Sequence, residues 1–428
     1  MNFARFARRT AKAVGASGQW LTVIVLSAPA FGCSILDKGL EANAPDKIET
    51  SGLEVPANAT LIVNSAIGNF ECALGTYIID AGMMSGELMD ATTTAANWAF
   101  DRRDTDPTAD TRYATNDCLS YGIYTPLQVA RGTADRALVL LQGWTDAEVP
   151  NRQDLLAKAA AYDGYSTLLL GEGFCEAAIN LGPLQTSSQL FAAAEANFTT
   201  AIAAAQSAGN TQILNMAYVG RARARLNQGN KTGAAADAAL VPAGFVINAT
   251  AENAPTRRQN RVQTFSQAAV VSVGAAYRTL TVDGTGLPDT RVTVTNAGKN
   301  GTDNRTPLFI QTKYATSSTP IPIASYKEAQ LILAEAQGGQ AAVDIINGLR
   351  TAAGLPTVSA VDINVIASER ARILFLEGQH LYDVRRLNLP QFPAAGSPYS
   401  TVYLKGGTYG TQRCFPLPDV ERLNNPNI

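Results

Sequence analysis

Between residues 57 and 242, apolar side chains recur at intervals of three and four, the pattern of helices that bury one stripe. The first predicted helix, residues 60–90, carries Leu61, Ile67, Phe70, Leu74, Ile78 and Ile79. The second, residues 116–144, carries Leu119, Ile123, Leu127, Ala130, Ala134, Leu138 and Leu141. Helices over 152–175, 188–207 and 213–239 follow, and Pro242 ends the series. These three are rich in alanine and carry small residues where one helix must lie close to the next. These are Ala161, Gly164 and Gly171, then Ala194, Phe198 and Ala201, then Ala217, Gly220, Ala224 and Ala234 to Ala239. From 243 to 323 the pattern changes to polar, Gly/Asn/Thr-rich sequence with short alternating stretches. Arg291-Val-Thr-Val-Thr and Leu308-Phe-Ile-Gln-Thr are examples, and they predict brief strands and long loops. Helix returns over 325–336, 341–353 and 365–376, and the chain ends in loops. The fold class is therefore mainly α, with long loops and short strands.

The run from Asn215 to Lys231, with Ala234 and Ala238 beyond it, resembles a tetratricopeptide repeat, in which paired helices meet through small and aromatic positions. A helical-repeat scaffold over 57–242 is the expectation. A loop and short-strand insertion would follow over 243–323, and C-terminal helices and loops over 324–428. Together these would form a single domain, 57–428. Ahead of it, residues 20–31 form an uncharged apolar run after a basic stretch. That length suits a signal-peptide core and falls short of the roughly 20 residues of a spanning helix. The run ends Ala30-Phe31-Gly32-Cys33, which resembles a bacterial lipobox, although Phe31 is bulkier than that box usually allows. Residues 1–32 are thus read as a signal peptide, Cys33 as the lipid anchor, and 33–56 as a polar tether.

Composition narrows the chemistry. The chain has 428 residues, 46% of them hydrophobic, so disorder is excluded and a sizeable core can be buried. Loss of Arg5, Arg8, Arg9 and Lys12 with the leader takes the balance from 34 basic against 36 acidic to 30 against 36, a net charge of −6. An acidic chain of this kind is a poor binder of nucleic-acid phosphates. The one histidine, His380, excludes a multi-histidine metal site. No metal or other cofactor is predicted. Nothing resembles a P-loop, a zinc motif or a nucleophile elbow.

With Cys33 lipidated, Cys72, Cys118, Cys175 and Cys414 remain for two disulfides in an oxidising compartment. If helices 116–144 and 152–175 pack antiparallel about a turn near residue 147, Cys118 and Cys175 lie at the same height. Pairing of Cys118 with Cys175, and of Cys72 with Cys414, is then favoured among the three connectivities. Gly122 and Pro126 could bend the first of these helices and shift the register, and buried free thiols are the plain alternative.

The C-terminal third carries serial motifs. They are Tyr326-Lys-Glu-Ala running to Glu335-Ala336, then Ile346-Asn347-Gly-Leu349-Arg350 with Ala353-Gly354-Leu355, then Glu369-Arg370 through Glu377-Gly378. Tyr382-Asp383-Val-Arg385-Arg386 and Phe415-Pro416-Leu-Pro418, with Glu421 and Asn425-Pro426, complete the series. In order and spacing these resemble the SusD/RagB family. Upstream, Asp289-Thr290-Arg291 and Lys313-Tyr314 sit where that family has an Asp-Pro-Arg and a Lys-Tyr, with Thr290 in place of the proline. The resemblance implies a SusD-like fold built on four tetratricopeptide-like helix pairs. It also implies an outer-membrane lipoprotein facing the cell exterior, lidding a TonB-dependent (SusC-like) transporter. Such a protein holds an oligosaccharide or peptide in its loops without breaking bonds.

The charged motifs have a structural reading beside a catalytic one. Glu369 with Arg372, and Asp383 with Arg386, have the three-residue spacing of helix ion pairs. His380 is expected at a helix end, and Gly171-Glu-Gly173 to end a helix rather than to bind a dinucleotide. Sugars stack on flat aromatic faces rimmed by planar polar groups. Trp144 reads as core. Trp98 lies in Asn97-Trp-Ala-Phe-Asp-Arg102-Arg103, which continues to Tyr113 as a loop mixing ring, guanidinium and carboxylate. Trp98, Arg102, Arg103 and Tyr113 are the first ligand-binding candidates, and Asn304 and Arg305 the second. Three classes compete: the nutrient-capture lipoprotein, which leads; a tetratricopeptide-type assembly protein without a small ligand; and a secreted hydrolase. The last would need two carboxylates about 5 to 10 Å apart in an open cleft.

Overall fold

A computed structural model describes residues 50–282, 285–399 and 405–428. The leader, Cys33 and the tether up to residue 49 lie outside the described residues. Residues Leu53–Ile428 form one unit. Helix α1, Ala59–Ser85, is followed by the short α2, Ala95–Arg102, and by α3, Tyr124–Gly143, and α4, Arg152–Gly173. Next come α5, Ser187–Ala208, α6, Thr211–Asn227, and α7, Lys231–Ala238. Sequential neighbours from α3 to α7 pack on one another and α1 lies against α3 and α4, so the scaffold is a run of helical hairpins. Local sequence sets the breaks. Thr186 and Gln189 make a reciprocal capping box at the start of α5, and Gly209 ends that helix at a φ of 67°. The single helix expected over 213–239 is two, parted by Gly229 at a φ of 81° and restarted by Asn230, whose side chain accepts from Gly233 N–H.

The small residues act at the crossings. Phe198 of α5 is wedged between α4 and α6, and a Cβ on Gly164 or Gly220 would stand 2.7 or 2.4 Å from its ring. Gly171 makes the same room for Phe191, at 2.6 Å. The mainly α, tetratricopeptide-like scaffold expected from the sequence is the one observed.

The strands form short antiparallel pairs: β1 (Leu88–Asp90) with β5 (Val271–Val273), and β2 (Glu176–Ala178) with β3 (Leu184–Thr186). β4 (Val246–Ala249) pairs with β8 (Ile321–Ser325), and β6 (Val294–Asn300) with β7 (Pro307–Gln311). Helices α8, Tyr326–Gln337, α9, Gly339–Ala352, α10, Ile363–Ile373, and α11, His380–Arg386, follow. Leu331, Ala342, Ile346, Ile366 and Leu374 give α8 to α10 a core of their own.

Two boundary errors have consequences. Residues 116–123 are a turn, not the first part of α3. Gly122 lies so close to Asn116 that a Cβ would stand 1.9 Å from its carbonyl oxygen, and Leu119 is 39% exposed. The first helix ends at Ser85, where Gly86 takes a φ of 84°, and Leu61 on it is 61% exposed rather than core. Because Cys118 sits in the turn, it does not keep the height that a continuous helix would give it. All four cysteines are paired, but Cys72 bonds Cys118 and Cys175 bonds Cys414, with Cα separations of 5.6 and 5.1 Å. The turn folds Cys118 onto α1. Cys175, just past α4, meets the C-terminal segment, where Phe174 and Phe415 form a β-bridge.

Candidate ligand-binding surface

The C-terminal motifs build a buried ionic lattice. Glu369 on α10 is held by Arg350 of α9 at 2.7 Å and by Arg291. Asp289 pairs with Arg291 at 2.7 Å and with Arg372 at 2.9 Å. The expected partnership of Glu369 with Arg372 is therefore replaced by two bonds to other elements, because the α10 side chains point at the Asp289–Arg291 loop and at α9. Asp383 does pair with Arg386 at 2.7 Å, and also with Arg370 at 2.7 Å. Those guanidiniums hold its carboxyl well below the usual range against the penalty of burial. Lys313 reaches Glu377 at 2.6 Å, and the Tyr314 hydroxyl donates to Leu376 O at 2.9 Å. His380 opens α11 edge-on to Tyr277, and burial holds its pKa down to about 4. Gly173 closes α4. Trp144 is half-buried against the main core.

The surface candidates gather elsewhere, around α2. Trp98 is on this helix, not in a loop. Its ring is 8% exposed, packed with Tyr399 and Tyr409, and the indole N–H donates to Thr92 O at 3.1 Å. Arg103, at a φ of 60°, ends the helix; it is buried, donates to Pro393 O and lies over the Tyr409 ring at 4.7 Å. Tyr113 belongs to the core, stacked on Phe174 and Phe415, with its hydroxyl donating to Pro416 O. Placing Trp98, Arg103 and Tyr113 on an open loop is thus corrected: residues 393–399 and 405–412 cover Trp98 and Arg103, and Phe174, Phe415 and Pro416 enclose Tyr113. The cover is knitted on by Gly410 N–H donating to Arg102 O at 2.6 Å, and by Gln412, which bonds both Thr105 N–H and Thr105 O.

The other three candidates are at the surface. Arg102 keeps a side chain 24% exposed beside Asp104, over Tyr399, and donates to Gly406 O. Asn304 and Arg305 are exposed on the turn after β6. That turn is seated against the segment before α2: Asp303 N–H and the Thr302 hydroxyl both donate to Ala91 O. Lys405 completes the joint, buried between Asp90 at 3.0 Å and Asp303 at 2.7 Å, with its ammonium 5.9 Å from the Trp98 ring centre. Asp101 accepts from Asp90 N–H and the Tyr399 hydroxyl, and burial pushes its pKa up to about 7. The two candidate segments, separate in sequence, are therefore one region, with Trp98 and Arg103 as its support and Arg102, Asn304 and Arg305 on its rim. Lys405, Tyr399, Tyr409 and Gln412 were missed; the only local signal was tyrosine and lysine amid the glycines of 396–410.

Among the described residues, no group of three or more His, Cys, Asp and Glu side chains could hold a metal ion. No helix among them is long and apolar enough to cross a membrane.

Residues 300–426 match the model of the SusD family. No curated protein matches the chain. Solved structures share the fold. Surface glycan-binding protein A from Bacteroides uniformis aligns with a TM-score of 0.62 at 14% identity, over 86% of this chain and 98% of that one. A SusD homolog from Bacteroides thetaiotaomicron gives 0.61 at 14% identity, over 88% and 96%. A SusD superfamily protein from Bacteroides vulgatus gives 0.59 at 14%, over 78% and 88%. The SusD family match thus spans residues 300–426, and the fold along most of the chain is the one these SusD-like structures have.

Proposed function

We propose that the protein captures a glycan at the bacterial cell surface without breaking bonds, and passes it to a TonB-dependent, SusC-like transporter in the outer membrane. The observation that carries this reading is the fold shared with surface glycan-binding protein A over 98% of that protein's length. The lipobox-like start supports anchoring through Cys33. The carboxylates of the C-terminal motifs, Glu335, Glu369, Glu377 and Asp383, are committed to guanidinium or ammonium partners, which supports holding a ligand over turning it over. Arg102, Asn304 and Arg305 offer planar polar groups at the rim, where a sugar's hydroxyls are recognised.

The test is affinity electrophoresis and calorimetry of protein lacking residues 1–33 against a panel of polysaccharides. Retardation by at least one polysaccharide with no released product is expected. Product release that a single carboxylate substitution abolishes would overturn the reading.

A further inference from the structure

A concave site lies against the middle of α1. It is a cleft of about 220 Å³ between the Gly68–Gly75 stretch of α1, β4 and residues 255–261. Its wall is Pro255-Thr-Arg-Arg-Gln-Asn-Arg261, so Arg257, Arg258 and Arg261 all line it, against one acidic side chain, Glu71. Gly75 lets this wall come close, since a Cβ there would stand 2.8 Å from Arg261 Cβ, while Gly68 leaves its part of the cleft open.

The arginines are not balanced within the cleft. Arg257 donates to the neutral Asn69 Oδ1, and Arg261 to the neutral Thr256 O. Arg258 pairs with Glu252 at the exposed rim, at 3.0 Å, and donates to the Thr250 hydroxyl. Glu71 accepts both Thr250 N–H and the Thr250 hydroxyl, at 2.8 and 2.7 Å, and is not an ion-pair partner of any of the three. Asp117 acts on Arg261 at longer range. Burial lowers the Arg261 pKa and raises that of Glu71, on which the Arg258 charge acts in the opposite sense. A guanidinium carries five donors in a planar fork suited to carboxylate or sulfate. Most of those donors are unspent here.

We infer that this cleft is a subsite for the anionic group of an acidic oligosaccharide, a uronate carboxylate or a sulfate. The inference rests on the glycan-capture reading and names the class of glycan. A saccharide is favoured over an acidic peptide because Ile321 is the only large aliphatic side chain in the lining to receive a residue's apolar part.

Calorimetry tests this with trigalacturonate, its methyl ester, a chondroitin sulfate tetrasaccharide, maltotriose and a tetraglutamate peptide. At least one acidic saccharide should bind roughly tenfold or more tighter than the uncharged saccharides, with affinity falling as salt rises. Trigalacturonate as the binder points to carboxylate; chondroitin sulfate, which carries both groups, points to sulfate when its desulfated form does not bind. The paired change Arg257→Gln and Arg258→Gln should remove that preference while leaving uncharged binding and the melting temperature in place. Comparing the acid with its ester needs no variant, so it stands even if the variant is unstable. Equal binding of charged and uncharged saccharides, or an unchanged preference in the variant, overturns the subsite and leaves glycan capture standing. Binding of the peptide alone, or of no probe, overturns both.

Discussion

Trp98 shows how a single side chain is misjudged when its neighbours in sequence are taken for its neighbours in space. Asp101, Arg102, Arg103 and Asp104 surround it in sequence and suggest an open loop. The residues that enclose it, Tyr399 and Tyr409, lie some three hundred positions away. Removing a buried ring of this size costs about 3 to 5 kcal/mol. Trp98→Ala is therefore expected to lower the denaturation midpoint markedly, and a variant that melts like the parent but binds glycan less well would show instead that the ring faces ligand. Glu87 gives a second prediction at this scale. Buried, with Leu376 N–H donating to it, its pKa is pushed up to about 8 from an ordinary 4.5. Between those two values the folded protein keeps a proton that the unfolded chain releases, so raising the pH favours unfolding. Asp101 acts in the same direction up to about 7. Stability should fall from about pH 5 to pH 8, and Glu87→Gln, which keeps the acceptor, should flatten that slope in urea titrations at each pH. An unchanged slope in the variant would put the effect elsewhere.

At the scale of elements, the sequence was legible wherever a stripe and its caps acted locally. The helices α3 to α6 and α8 to α10 were anticipated within a few residues at most ends, and the glycines at their crossings were recognised as contact points. Legibility failed where a long-range contact decides the local form. The start of α3 depended on Gly122 folding residues 116–123 back on themselves, and the cysteine pairing failed with it. Peptide mapping of unreduced protein should recover a fragment joining Cys72 to Cys118 and another joining Cys175 to Cys414; a Cys118–Cys175 fragment would contradict the structure. The loops closed are of unequal size, with sequence separations of 46 and 239 residues. On chain-entropy grounds their loss would cost about 4 and about 5.5 kcal/mol, so replacing Cys175 and Cys414 by serine should be the more damaging change. The strands were legible only as a tendency, since each pair has two members and its register is set by what lies beneath.

For the whole molecule, the family motifs form a lattice of ion pairs that locks α8 to α11 to the loops between β5 and β8. That lattice is architectural, and it explains why these motifs identify the fold without identifying the ligand. The candidate ligand groups Arg102, Asn304 and Arg305 are single surface residues at a helix end and in a turn, where no periodicity marks them. Attachment to the cell belongs to this scale too. Cys33→Ser should move the protein from the membrane fraction to the soluble fraction, and a variant that stays membrane-bound to the same extent would show a different anchor.

The way residues 393–399 and 405–415 close over α2 and dock at Phe174 has a consequence for biogenesis. This segment is synthesised after the helical scaffold, yet it covers Trp98 and packs Phe415 against Phe100, Tyr113 and Phe174. Until it arrives, a cluster of rings made early in synthesis stands uncovered, and Cys175 waits as a thiol for a partner not yet delivered. Maturation is therefore gated by this segment: a chain interrupted near residue 390 would carry a nearly complete helical scaffold with an adhesive aromatic face, a natural target for chaperones and proteases.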